Sequence, residues 1–326
     1  MGDRPVVFVT QPIDEDALTL LEQHADVVRG FGPRAQALSD HAARVDALLV
    51  RHQDLDATLF AGTPRLRLVQ RVGIGVDGID LAAAAEAGVA VFNTAGGNVH
   101  TVAEMTIALG LAVARQIPRW DAAVRAGQFT DRNHDPGRQL YGKRWGIVGL
   151  GMIGQQVARI ARHGLGMTVA AYHPRRDPEW ITEHGAEPAA GLIDLIAECD
   201  VVSLHVPRTE DTHKMIGHTE LAAMRTGAIL VNVSRGGVVD EGALLEVLRD
   251  GRLGGAAIDV FDLEPPPDDH PFFSLPNVVL SPHRGGRTIE ATEQQGEQAV
   301  RRVLDLLRNP STDGALNEAL LSRAGR

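Results

Sequence analysis

Four stretches of the chain set chemically capable residue types beside glycine or proline. Val231 to Asp240 (VNVSRGGVVD) places Arg235 between an apolar run and two glycines. A solvated arginine has little reason to stand there, and its planar fork matches a carboxylate bidentately. Backbone carbonyls are the other partners that would satisfy it. Ala257 to Pro265 (AIDVFDLEP) holds Asp259 and Glu264, and Leu280 to Gly286 (LSPHRGG) holds His283. A histidine after a proline serves either structure or proton transfer, and its position alone leaves both open. Trp145 to Gly154 (WGIVGLGMIG) spaces Gly149, Gly151 and Gly154 as G-x-G-x-x-G. In that pattern the first glycine makes a tight turn, the second lets backbone approach a pyrophosphate, and the third seats a helix close to the sheet. The helix start then holds phosphate charge with its free N–H groups and dipole.

These residues need strands and helices to carry them. Trp145 to Val148 has the length and β-branched content of a buried strand. Ile153, Val157, Ile160 and Ala161 follow at helical spacing, the context the glycine pattern requires. Further strands read at Thr168–Tyr172, Val201–Leu204, Ala228–Val233, Gly255–Val260 and Val278–Ser281. With the first, that makes a six-stranded doubly wound sheet, and the three other reactive stretches fall at carboxyl ends of strands, where such sheets bind ligands. Pro265 to Pro267 make Leu263–Pro271 a loop. Before this region, strands read at Val6–Val9, Val27–Val28, Ala47–Val50, Leu66–Gln70 and Val89–Phe92. Helices read at Asp14–His24, Arg34–Ala43, Leu55–Ala61 and Asp80–Ala87 between them. That alternation predicts a second parallel sheet, without a glycine fingerprint after its first strand. Asn98–Arg115 reads as a long helix, with Val102, Met105, Leu109 and Val113 on one face. Its small residues Ala103, Ala108, Gly110 and Ala112 would suit close packing on a second subunit or an ordinary domain connection. Arg119–Tyr141 reads as a linker or surface arm. A final helix, Glu290–Leu307, is expected to cross back onto the first sheet.

Composition bounds the class. At 326 residues two domains are expected, and an apolar fraction of 44% fills ordinary cores. A formal charge of −10 argues against nonspecific binding to nucleic acid or anionic membrane. The single cysteine, Cys199, excludes an internal disulfide framework and fits a reducing cytoplasm. No stretch reaches membrane-spanning length, and Met1 to Pro5 lacks a signal-peptide core. No metal site is expected.

Several of these segments together resemble the D-isomer-specific 2-hydroxyacid dehydrogenases: Arg71 to Asp80 (RVGIGVDGID), Gly97 to Glu104 (GNVHTVAE), the glycine fingerprint, and the three reactive stretches, in the family's order. The resemblance implies an α/β fold with a Rossmann-type doubly wound parallel sheet and a smaller flavodoxin-like substrate domain. That substrate domain is discontinuous, here residues 1–97 plus 284–326, with the dinucleotide domain, 98–283, inserted. It further implies that Arg235, Glu264 and His283 converge between the domains, near crossings at Asn98 and His283 that serve as a hinge. In that setting His283 is the general acid for keto-acid reduction and the base in reverse. Glu264 orients its imidazole and favours the charged form. Arg235 clamps the carboxylate and polarises the carbonyl. Gly73-Ile74-Gly75 offers backbone N–H groups to the same carboxylate. Asp259 resembles the residue holding the nicotinamide carboxamide, and Asn98 and Thr101 match a segment beside the substrate. Around the fingerprint, Met152, Ile153, Val206, Pro207, Thr212, Val233, Ser234 and Gly285 complete the expected cofactor contacts.

The chain departs from the usual NAD pattern at Ala171 to Arg176 (AYHPRR). The acid expected about 20 residues beyond the glycines to accept the ribose hydroxyls is replaced by His173. Arg175 and Arg176 would pair with a 2′-phosphate, so NADP is favoured over NAD, although Asp177 leaves an acid close by. Substrate selection falls to Arg51, His52, Ile74 and Gly75, the first two being equally readable as polar residues at a strand end. Glyoxylate or hydroxypyruvate suits the NADP preference. A phosphorylated hydroxy acid through Arg51, phosphite oxidation, and a dinucleotide-sensing corepressor are the alternatives on this scaffold. A homodimer is expected, with no nucleic-acid or membrane partner.

Overall fold

The computed structural model describes residues 4–129 and 135–323. The start of the Met1–Pro5 reading and part of the expected Arg119–Tyr141 linker lie outside these residues. The chain forms two compact units, one reaching to Asn98 and resuming at Arg287, the other running from Val99 to Gly286.

The first unit holds β1 (Val6–Val9), α1 (Glu15–His24), β2 (Asp26–Arg29), β3 (Ala47–Val50), α2 (Ala57–Gly62), β4 (Leu68–Arg71), α3 (Leu81–Glu86) and β5 (Ala90–Phe92). The strands are all parallel in the order β2-β1-β3-β4-β5, which is the flavodoxin-like arrangement. Asp14, Asp56 and Asp80 cap α1, α2 and α3 by accepting first-turn N–H groups. Successive strand residues alternate between two cores. Val7, Val9 and Leu49 pack with Leu18 and Leu21, whereas Phe8, Leu48 and Val50 pack with Phe60. Between residues 34 and 43 only a 3-10 turn forms, Leu38–Asp40, with no buried residue. The expected helix fails because Leu38 is the stretch's only apolar side chain larger than alanine, too little to dock a helix.

The second unit holds α4 (Val99–Ala114), α5 (Ile117–Arg125), β6 (Arg144–Val148), α6 (Met152–Leu165), β7 (Thr168–Tyr172), α7 (Pro178–Glu183), β8 (Glu187–Pro188), α8 (Leu192–Glu198), β9 (Val201–Leu204), α9 (His218–Ala223), β10 (Ile229–Asn232), α10 (Glu241–Arg249), β11 (Gly255–Ile258) and β12 (Val278–Leu280). Its parallel sheet has the order β12-β11-β10-β9-β6-β7-β8, a Rossmann-type double winding that reverses between β6 and β9. The sheet has seven strands rather than six. The addition, β8, is two exposed residues at an edge, one of them proline, and carries no strand pattern.

Part of the expected linker is helical. α5 buries none of its residues, its Ile117, Trp120 and Val124 lying at helical spacing on a face the described residues do not cover; Pro118 starts it and Asp121 pairs with Arg125 at 2.8 Å. The small residues of α4 divide in purpose. Ala103 and Gly110 are buried in their own unit, and a Cβ on Gly110 would stand 2.8 Å from the Trp145 ring.

After the second unit, α11 (Ile289–Arg308) returns to the first sheet. Its Ala299, Val300, Val303 and Leu304 share a core with Val7, Leu18 and Leu68. α12 (Glu318–Arg323) follows Asn317, whose amide receives the Val91 N–H and donates to the Val89 carbonyl, so the edge strand β5 is covered. Among the described residues, no helix is long and apolar enough to cross a membrane.

Candidate active site

The register of the second sheet brings the three reactive segments side by side. Asn232 pairs with Ile258, and Ile258 with Leu280, so β10, β11 and β12 end level. Arg235, Asp259 and His283 follow within three residues of those ends. Two glycines then let neighbouring loops touch. A Cβ on Gly236 would fall 1.8 Å from the Phe261 carbonyl oxygen, and one on Gly285 would fall 2.8 Å from Asp259 Oδ2.

Within this crowded edge, His283 Nδ1 and Glu264 Oε2 lie 2.7 Å apart. The other Glu264 oxygen accepts the Phe261 N–H at 3.1 Å, which fixes the carboxylate's orientation. The Glu264 hydrogen bond raises the pKa of His283, and the charges of Glu264 and Asp259 add to it against burial and Arg235. Burial pushes Glu264 upward, but the hydrogen bonds from His283 and Phe261 and the charges of His283 and Arg235 outweigh it and hold the carboxyl low. The pair is therefore poised as carboxylate and imidazolium. Arg235 stands close enough to influence both groups, and its Nη1 donates to the Ser234 carbonyl at 2.7 Å.

Asp259 is 1% exposed, and its two oxygens accept the Arg284 and Gly285 N–H groups at 2.8 Å each. Its own carbonyl accepts the His283 N–H, also at 2.8 Å. Asp259 thus buckles the turn that carries His283, whose φ of +51° is left-handed, a conformation costly for a non-glycine residue.

Two supports in this region have no sequence signature. Asp262 Oδ1 accepts the Gly237 N–H at 2.6 Å, while its own N–H donates to Glu241 Oε1 at 3.0 Å. Glu241 Oε2 in turn meets His270 Nε2 at 3.2 Å, and His270 sits among Phe261, Phe272 and Phe273. His205, just past β9, is half-buried, and burial pulls its pKa down to about 3. Ser203 Oγ accepts the Trp145 indole N–H and faces His205 Nε2, each at 2.9 Å, so the hydroxyl hydrogen goes to a neutral imidazole.

The glycine turn between β6 and α6 fits a dinucleotide. Gly149 has φ +95°, and a Cβ there would stand 2.6 Å from the His205 carbonyl oxygen; one on Gly154 would stand 2.4 Å from the Gly149 carbonyl oxygen. Gly151, by contrast, opens onto space free of atoms within 4 Å, and as N-cap of α6 it offers no side chain to the helix's first N–H groups. A pyrophosphate has both the room and the donors it needs. Met152 and Ile153 begin α6, with Met152 55% exposed. His173, Arg175 and Arg176 follow β7, while Val206, Pro207 and Thr212 follow β9, where Thr212 Oγ1 donates to the Pro207 carbonyl at 2.6 Å. Val233 and Ser234 are buried after β10, and Ser234 donates both its N–H and its hydroxyl to Asn232 Oδ1.

The first unit carries the other candidates. Arg51 Nη1 donates to the Pro12 carbonyl at 3.1 Å, while its buried Nε has no protein partner. Burial and then Arg287 lower its pKa. The His52 N–H donates to Gln11 at 2.9 Å. The 73–75 turn differs from expectation in one respect: the Gly73 N–H is already donated to Thr94 Oγ1 at 2.8 Å, so it is not available to a ligand. The Ile74 and Gly75 carbonyls are tied back to Asn93 and Arg71. Asn98 Oδ1 is buried without a protein partner, and Thr101 lies in the first turn of α4.

Residues 107–285 match the family model described as D-isomer specific 2-hydroxyacid dehydrogenase, NAD binding domain. The chain belongs to that family. Over 98% of its length it is 37% identical to a glyoxylate reductase from Thermococcus litoralis, of which it covers 98%. It is also 37% identical, over 95% of its length, to a D-3-phosphoglycerate dehydrogenase from Methanocaldococcus jannaschii, but spans only 59% of that protein. The solved NADPH-dependent glyoxylate/hydroxypyruvate reductase from Sinorhizobium meliloti, in complex with NADP and malonate, superposes with a TM-score of 0.83 at 28% identity, with 96% of each chain covered. The family and its dinucleotide sheet make the cofactor a nicotinamide nucleotide.

Proposed function

We propose that this chain is a D-2-hydroxyacid dehydrogenase that reduces glyoxylate or hydroxypyruvate, with NADP preferred over NAD. The observation that carries the reading is the 2.7 Å pair of His283 and Glu264 with Arg235 beside it, at the carboxyl edge of the dinucleotide sheet. A bound reduced nicotinamide supplies the hydride. His283, kept charged by Glu264, gives its Nε2 proton to the carbonyl oxygen as negative charge gathers there. Glu264 holds the imidazole from the Nδ1 side, so the donating nitrogen faces substrate. Arg235 pairs with the substrate carboxylate and stabilises the developing oxyanion. In the oxidative direction, neutral His283 takes the hydroxyl proton and Glu264 stabilises the resulting cation. From the first unit we assign substrate recognition to Arg51, His52, the N–H groups of Ile74 and Gly75, and Asn98.

The NADP preference is supported by the end of β7. His173 occupies the acid's place, and Oδ1 of the neighbouring Asp177 accepts the Trp180 N–H as the cap of α7. Asp177 is thereby engaged at the start of α7, and Arg175 and Arg176 remain for a 2′-phosphate. A second reading, a phosphorylated hydroxy acid, is favoured by the unpartnered buried Nε of Arg51 and by the likeness to phosphoglycerate dehydrogenases. We further infer a cytoplasmic homodimer. Exposed Ile117, Val124 and Tyr141 provide apolar surface for an interface, and the lone cysteine is buried.

Absorbance at the reduced-nicotinamide band, followed with NADPH and NADH in parallel over a panel of 2-keto acids including phosphorylated ones, tests the reading. Oxidation of NADPH in preference, with glyoxylate or hydroxypyruvate, is the expected result. Preference for NADH overturns the 2′-phosphate site alone. Silence across the panel with nucleotide still bound overturns the enzyme in favour of a dinucleotide sensor.

A further inference from the structure

The turn after β7 holds more than two arginines. The Arg176 guanidinium carbon lies 4.7 Å from the centroid of the Trp180 ring. The Trp180 ring stacks on His184 at 3.8 Å with an interplanar angle of 21°, and the His173 ring meets it edge-on at 6.1 Å. The indole is itself held in place. Its backbone N–H donates to Asp177 at 2.8 Å, its carbonyl meets His184 Nδ1 at 2.8 Å, and its ring packs on the core of the second unit. Neither Arg175 nor Arg176 has a carboxylate partner among the described residues.

We propose that Trp180 is a positioning residue for cofactor choice, holding Arg176 in place for the 2′-phosphate. The inference rests on the NADP reading above and names the device behind it. A guanidinium on an aromatic face is held through its π-surface, which leaves the N–H edges free to grip phosphate oxygens. A long side chain that is already stacked has also lost rotamer freedom before the nucleotide arrives, so less is lost on binding. Trp180 would then shape the preference for NADP through Arg176.

The test measures binding to the full chain by titration calorimetry, with adenosine 2′,5′-bisphosphate and AMP as probes. Trp180→Leu should weaken the bisphosphate by about two- to fivefold, the range of a cation–π contact at an exposed site, and leave AMP unchanged. Trp180→Phe should restore most of the loss. In an Arg176→Ala background, Trp180→Leu should cost nothing further, since the two act as one unit. Equal weakening of both probes, or a further loss in the Arg176→Ala background, would overturn the proposal. Wild-type protein binding both probes alike would overturn the NADP reading and this inference with it. A preference that Arg176→Ala abolishes and Trp180→Leu leaves intact would overturn this inference alone.

Discussion

Gly236→Ala is the substitution whose effect the structure sets most tightly. The added Cβ would lie 1.8 Å from the Phe261 carbonyl oxygen and 2.4 Å from its carbonyl carbon, both backbone atoms that cannot rotate aside. Cβ contacts are essentially never closer than 3.0 Å, so the loop bearing Arg235 and the loop bearing Glu264 must part by at least 1.2 Å, the difference between 3.0 and 1.8 Å. Overpacking of this kind costs about 1–3 kcal/mol of stability. A displacement of about 1 Å in a reacting group's support costs about a hundredfold in rate. The fingerprint turn lies on a different strand, so nucleotide binding should survive. Steady-state kcat with a 2-keto acid, nucleotide affinity from fluorescence, and a thermal melt together read the outcome. Gly62→Ala, where the Cβ meets nothing within 4 Å, is the matched control and should leave all three near wild type. A Gly236→Ala protein with wild-type kcat would refute the reasoning, because the close approach of the two loops would then not be what sets Arg235 beside the pair.

Two further substitutions separate the roles within the site. Glu264 raises the His283 pKa chiefly through its hydrogen bond, and reduction needs His283 protonated, so kcat/KM for reduction falls as pH rises through that pKa. Glu264→Gln should move this descending limb to lower pH and recover activity on acidification; a limb that stays put or moves up would remove Glu264 from the proton's control. Arg235→Lys keeps the charge but loses the planar fork, and should lower keto-acid turnover about a hundredfold. Full activity in that variant, measured at saturating cofactor, would discard the carboxylate clamp.

Most of the framework was legible because it is local. Short apolar runs marked eleven of the twelve strands among the described residues, β8 alone going unread, and the G-x-G-x-x-G spacing lay between a strand and a helix as its mechanism demands. The three reactive segments could be placed at strand ends because Val233, Ile258 and Leu280 are each followed by a polar residue, Ser234, Asp259 and Ser281. What was not legible joins distant residues or lacks an apolar face. The strut from Gly237 through Asp262 and Glu241 to His270 links positions far apart in the chain through single hydrogen bonds, which leave no periodicity. The seating of Arg176 on Trp180 needs the turn before α7, and α5 was masked by its short length and by the many charged and polar residues around Ile117, Trp120 and Val124. The loss of the Gly73 N–H to Thr94 could not be anticipated, since that threonine stands on the next strand's exit.

The central claim is that His283, oriented by Glu264, carries the proton for carbonyl reduction. Its most direct test is His283→Ala, assayed for single-turnover oxidation of bound reduced nicotinamide by a 2-keto acid, alongside the affinity for the nucleotide itself. The account predicts a loss of about 10²–10⁴-fold in the turnover rate, the range of a positioned general acid, with nucleotide affinity nearly unchanged. A variant that turned over at the wild-type rate would contradict it.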